Sequence, residues 1–304
     1  MIEAGPKKRD YMNSPIHVDL KGISKPVTKL IESVCKGIGK LYEPTAIRRN
    51  AKAKADAALI LAQGKTQRRE FLMRAAHRMA FIETRRQQVI ESIVGQARRQ
   101  LPVAVSEEPV SEDWMVQFFE CAKDVGDKEM QVLWAKILAG EVTAPGKYSR
   151  RTLEVLKTLD RRDAVAFTQY CSVSFRHSVG SHFTFQAQVT QDCLGQLSEY
   201  EIENHLISLG LLSAEATWYG LSKLSGWVIH YLQRSWKISA PAKPMLCSPE
   251  IEIPEKMMLV RFFTAVGEEL ASVASPSPVP GFVEKQAEEL KGLEVHLEEA
   301  VETA

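Results

Sequence analysis

Cysteine is scarce and scattered in this 304-residue chain: Cys35, Cys121, Cys171, Cys193 and Cys247 are the five, and no two lie within five residues of each other. That spacing excludes the close pairs of zinc ribbons and thioredoxin-like sites. An odd, dispersed set fits a reduced, intracellular protein. No run of 18 apolar residues occurs, so no spanning helix is expected. The opening MIEAGPKKRDYMNSP lacks an apolar core, so no signal peptide is expected. The expected location is cytoplasmic, with a peripheral position at the inner membrane as the variant.

Familiar catalytic signatures are also missing. There is no His-Glu-x-x-His, no G-x-S-x-G elbow, no Walker loop and no G-x-G-x-x-G. Gly37-Ile38-Gly39 has neither a preceding strand nor a third glycine. His177 and His182 flank Gly180 at a spacing of five, but no local Cys or Asp completes a ligand set. No catalytic residue, metal ligand, cofactor or small-molecule substrate is assigned, and the chain is expected to act without catalysis. An active site assembled around residues 133–151 is the enzymatic alternative.

Charge is present in quantity but unevenly placed. The chain as a whole carries +1, yet residues 21–100 hold 18 Lys and Arg against six Asp and Glu, while 101–304 hold 18 against 29. A basic front of this kind points to an anionic partner: a membrane surface, nucleic acid, or the acidic remainder of the chain itself. Aromatic residues are thin in that front (Tyr42, Phe71, Phe81), which argues against a stacking platform for single strands.

Residues 1–20 read as a flexible leader. In SKPVTKLIESVCKGIGKLY, Val27, Leu30, Ile31, Val34, Ile38 and Leu41 recur at spacings of three and four, which predicts a helix with one apolar stripe. Lys25, Lys29, Lys36 and Lys40 fall mostly on its other faces. With Arg48 and Arg49 they are the candidate anionic-surface residues, the apolar stripe lying on lipid or, alternatively, packing on neighbouring helices. An Ala-rich stretch and a second long Arg-bearing helix, about 65–99, complete a basic amphipathic helical arm over 21–100.

A Pro- and Glu-containing linker follows. Four short helices are then expected within a central helical domain, 111–175, opened by Ser111, Asp127, Ser149 and Asp160 as N-caps. HFTFQAQVT, WVIHYLQRSWKIS and KMMLVRFF read as strands around a helix at 199–209, and Thr264 opens another helix. Residues 180–275 are therefore expected to form a small α+β, winged-helix-like domain. Glu199, Glu201 and Glu203 on its second helix oppose phosphate binding. Residues 281–304, with seven Glu against two Lys, read as an acidic C-terminal helix. The expected fold class is mainly α.

One stretch, LWAKILAGEVTAPGKYSRRTLEVLKTL at 133–159, stands out. Capping and packing explain most of it. They leave Lys136, Glu141, Lys147, Arg150 and Arg151 around one turn. Glu129, Met130, Leu133, Trp134, Ala135, Leu138, Glu141, Pro145, Gly146, Ser149, Arg151, Thr152 and Leu153 resemble the signature of an uncharacterised bacterial domain-of-unknown-function family. They are also similar, more loosely, to abortive-infection alpha proteins. The resemblance marks Trp134, Lys136, Glu141, Pro145, Gly146, Ser149 and Arg151 as a candidate functional surface and implies anti-phage defence. The expected role is a defence or toxin-like protein whose basic arm meets an anionic target such as the inner membrane surface. The alternative is a nucleic-acid-binding regulator, and self-association is a further expected partner class.

Overall fold

The computed structural model describes residues 24–38, 66–186, 188–194, 199–240 and 257–300. The chain divides into two compact units, residues 1–125 with 134–146, and 126–133 with 147–304. The segment 111–175 contributes to both.

In the first unit, α1 is Lys25–Ile38, α2 is Thr66–Gln100 and α3 is Glu112–Ala122. Helix α4, Lys128–Thr143, supplies this unit with its residues from Trp134 onward. The apolar stripe of α1 is inside: Leu30, Ile31 and Val34 are buried, and α1 packs on α3. Gly37, a weak helix former, has a packing reason. A Cβ there would come 2.4 Å from Met115 Cγ, so only glycine lets the two helices approach this closely. Ser111 caps α3, its hydroxyl accepting from the Trp114 amide at 3.4 Å, and Trp114, Phe118 and Phe119 are buried as their spacing predicts. Trp134 meets Phe118 edge-on at 5.2 Å and anchors this core.

In the second unit, Asp127 opens α4, its carboxylate accepting from the amides of Glu129 and Met130 at 2.9 Å. Helices α5 (Arg150–Thr158) and α6 (Arg161–Cys171) follow, capped by Ser149 and by an Asp160–Asp163 capping box. Beyond them the mainly α expectation is overturned. Among the described residues, seven strands form one antiparallel sheet, and the chain is mixed α+β. The strands are β1 (Phe175–His177), β2 (His182–Phe185), β3 (Thr217–Gly220), β4 (Val228–Tyr231), β5 (Arg234–Ser239), β6 (Met257–Phe262) and β7 (His296–Glu299). Their order across the sheet is β3-β6-β2-β1-β4-β5-β7. The remaining helices are α7 (Gln188–Leu194), α8 (Glu199–Ser208), α9 (Leu221–Leu224), α10 (Ala265–Ala271) and α11 (Phe282–Lys291). The α+β expectation for the C-terminal region fits in part, the sheet being wider than 180–275 because it also takes in β1 and β7. Among its described residues, the acidic stretch 281–304 is helical as α11, and its His296–Glu299 pairs with β5.

One face of the sheet carries Phe175, Phe183 and Phe185, all fully or almost fully buried. Phe282 of α11 stacks on Phe175 at 5.5 Å, and Tyr231 closes on both rings. Gln286, one turn further along α11, is wholly buried with neither its amide nitrogen nor its oxygen hydrogen-bonded among the described residues. An unpaired buried amide costs about 1–3 kcal/mol. Gln286→Leu keeps roughly the same reach and removes both orphans. It is expected to raise stability by about 1–2 kcal/mol, read as a higher urea midpoint at unchanged slope; a lower midpoint would show that the amide is satisfied.

A candidate interaction surface on the long basic helix

Helix α2 is 35 residues long, about 50 Å at 1.5 Å per residue. Its second half is packed, with Val89, Ile93, Val94 and Ala97 buried. Helix α3, only 11 residues, lies against α2 and ends at a charged clamp. Asp124 takes the Arg86 guanidinium in a fork, 2.8 and 2.9 Å, and its backbone carbonyl accepts from Arg85 at 2.8 Å. The Arg86 hydrogen bonds hold the Asp124 carboxyl below its usual range, and Asp124 in turn raises Arg86.

Ahead of the clamp, from Thr66 to Arg86, α2 continues for about 30 Å. Large apolar side chains stand in solvent there: Phe71 is 63% exposed, Leu72 41%, Met79 65% and Phe81 71%. That exposure matters because isolated exposed apolar residues are ordinary, whereas four within eleven positions of one helix mark a contact surface. Arg74, Arg78 and Arg85 are exposed among them, at spacings of four and seven that put all three on one side of the helix. Phe81 and Phe71 flank that arginine row on either side.

The residues singled out from sequence are distributed differently. Lys25 and Lys36 are exposed on α1. Lys29 is half-buried, donates to the Ser106 carbonyl at 2.6 Å, and is pulled below the usual lysine range by burial, with Glu108 and Glu141 opposing. Lys40, Arg48 and Arg49 lie outside the described residues. In the first unit, Trp134 and Glu141 are buried rather than on a surface, and the Glu141 carboxylate accepts from the Gly146 amide at 2.7 Å. Glu141 thus ties down the turn in which Pro145 is half-buried and Gly146 takes φ +84°, a left-handed conformation suited to glycine. Burial lowers the Lys136 ammonium. In the second unit, Ser149 caps α5, its amide donating to Glu269 at 2.7 Å, and Arg151 is exposed.

Sequence reasoning did not find the polar cluster buried in the second unit. Glu203 of α8 forms an ion pair with Arg261 of β6 at 3.1 Å, the two side chains 7% and 12% exposed. The other Glu203 oxygen accepts from Tyr170 at 2.5 Å and from Gln186 at 2.7 Å. Tyr170 meets Thr184 at 2.7 Å, and Arg261 donates to the carbonyls of Ser213 and Ala214 at 2.9 and 3.3 Å. Burial, then Glu203, pushes the Tyr170 phenol well above its ordinary range. Each charged group here is met by protein partners, so the cluster fastens α6, α8, β2 and β6 together. Around it His205 pairs with Asp163 at 2.6 Å and His182 with Glu268 at 2.5 Å. His177 instead lies edge-on to Trp227 at 4.5 Å. The sequence trace of the cluster was the acidic run Glu199, Glu201 and Glu203 at the start of α8.

Among the described residues, no group of three or more His, Cys, Asp and Glu is arranged to hold a metal ion, and no helix is long and apolar enough to cross a membrane. No curated protein and no solved structure matches the chain. Residues 73–285, well over half of the chain, match a family described as protein of unknown function (DUF2806), and the chain belongs to that family.

Proposed function

We propose that the chain acts without catalysis, using the first half of α2 to bind an anionic membrane surface, and that its wider role is anti-phage defence in a bacterial cell. The observation that carries the membrane reading is the exposed Phe71, Leu72, Met79 and Phe81 interleaved with Arg74, Arg78 and Arg85 on one helical segment. Phenylalanine enters the boundary between headgroups and acyl chains, while arginine meets the phosphate. Duplex nucleic acid would use the arginines but leave the phenylalanines in water. The contact differs from the one expected at α1, whose apolar stripe is occupied by α3. The defence role rests on the resemblance of the 129–153 motif to abortive-infection alpha proteins.

Vesicle flotation tests the contact. The chain is expected to float with phosphatidylglycerol-containing vesicles at low salt and not with purely zwitterionic ones. Arg74→Gln/Arg85→Gln is expected to weaken binding by about tenfold or more, since each basic residue near an anionic surface contributes about 1 kcal/mol. Phe81→Ser is expected to weaken it at every salt concentration. Absence of flotation on anionic vesicles overturns the lipid reading, and retention on duplex DNA with a steep salt slope would replace it. Lowered phage plating on a bacterial host expressing the chain, lost in the same variants, is the expected cellular result.

A further inference from the structure

The apolar side of α2 follows a heptad alternation. Leu72, Ala75, Met79, Ile82, Arg86, Val89 and Ile93 recur at spacings of three and four. From Arg86 onward this seam belongs to the first unit's interior: Val89 and Ile93 are buried, and the clamp to Asp124 marks where α3 stops. The same seam continues without a break in register into the preceding two heptads. There Leu72 and Met79 are 41% and 65% exposed, and Ala75 and Ile82 are half-buried. Among the described residues, a buried interface thus runs out of covering helix while its apolar pattern goes on.

We propose that this stretch, Phe71 to Arg86, is a self-association site: a second copy of the chain lays its own Leu72–Ala75–Met79–Ile82 seam against it, the two helices parallel and in register. The site shares Phe71, Leu72, Met79 and Arg78 with the proposed lipid contact, while its seam lies to one side of the row formed by Arg74 and Phe81; association is read in solution without vesicles, so either reading can fail alone. Charge selects the direction. With Leu72 and Met79 at a, and Ala75 and Ile82 at d, Arg78 falls at g and Glu83 at the following e. In a parallel pair, Arg78 faces Glu83 of the second copy, and symmetry makes this contact twice. Phe71, also at g, then covers Ala76 of the second copy. In an antiparallel pair, with Leu72 on Ile82 and Ala75 on Met79, the g positions face one another, which would set Arg78 against Arg78 of the second copy. Glu83 is 62% exposed, and its partner within the chain, Arg86, keeps its fork to Asp124 when Glu83 turns outward. The small Ala75 lets the two backbones approach beneath Leu72 and Met79.

The seam offers two heptads, roughly 21 Å of helix, so the dimer is expected to be weak and concentration-dependent in solution. Sedimentation velocity on the full chain, from low to high micromolar concentration, is expected to show monomer passing to dimer. Met79→Glu places a charge at a central a position and is expected to hold the chain monomeric. Arg78→Glu and Glu83→Arg, each alone, set like charges across the seam twice and are expected to weaken association about tenfold. An equimolar mixture of these two variants restores both opposite-charge contacts and is expected to dimerise like the native chain, a recovery that misfolding of either variant cannot produce. A native chain that stays monomeric throughout, or a mixture no better than its components, overturns the proposal.

Discussion

Arg261→Met is expected to lower the stability of the second unit by about 3–5 kcal/mol, the cost of leaving Glu203 buried without its counter-charge. The substitution keeps most of the aliphatic volume, so lost packing is a minor part. Glu203 would retain its hydrogen bonds from Tyr170 and Gln186, which soften the loss without supplying a positive charge. The carbonyls of Ser213 and Ala214 also lose their donor. Glu203→Gln/Arg261→Met is expected to recover a large part of the deficit, because what destabilises is the unpaired charge rather than the missing pair. Urea melts of the native chain, both single variants and the double variant close a thermodynamic cycle. Additive losses would show that the two side chains do not depend on each other, contrary to the geometry.

Trp134→Ala is expected to be comparably severe, about 3–5 kcal/mol. Trp134 is wholly buried and sits edge-on to Phe118, so truncation opens a cavity in the middle of the first unit's core. Trp134→Phe separates two contributions. The indole N–H has no hydrogen-bond partner among the described residues, and its removal relieves a desolvation penalty of about 1–3 kcal/mol, offsetting part of the smaller cavity. The phenylalanine variant is therefore expected to stay within about 1.5 kcal/mol of the native chain. A phenylalanine variant as unstable as the alanine one would mean that the N–H is satisfied. Neither substitution touches an exposed group, so a selective loss of lipid binding in a folded Trp134→Phe chain would count against an assignment of the anionic contact to α2.

These two sites also show what can be read without coordinates. Helix starts were legible because a cap is a local matter. Ser111, Asp127, Ser149, Asp160 and Thr264 each stand one residue before or at the opening of a helix, and each side chain accepts an amide hydrogen bond there. The inward placement of Trp134 followed from helical spacing alone. The sheet was less legible. Its strands are three to six residues long and pair across up to about eighty positions of sequence, as β2 does with β6. β7 is the extreme case. His296, Glu298 and Glu299 are exposed and Leu297 is half-buried, so nothing alternates, and glutamate favours helix when read locally. Only its backbone pairing with β5 makes it a strand. Glu203 looked like one of three solvent-facing acids on α8, because its partner Arg261 lies on a distant strand. The arm was recognised as basic, but the burial of α1's stripe on α3 moved the exposed surface onto α2.

Among the described residues, the two outermost strands of the sheet, β3 and β7, differ in how they resist unwanted polymerisation. An outer strand offers unpaired amides and carbonyls to any extended chain that drifts past, and charged side chains are a common deterrent. On β7 two glutamates stand exposed, and Arg234 pairs with one of them, Glu299, at 2.9 Å. On β3 the four residues Thr217-Trp218-Tyr219-Gly220 carry no charge, and Trp218 is 60% exposed. Aggregates grown from the folded chain should therefore nucleate at β3 rather than β7, and Thr217→Lys should slow their growth.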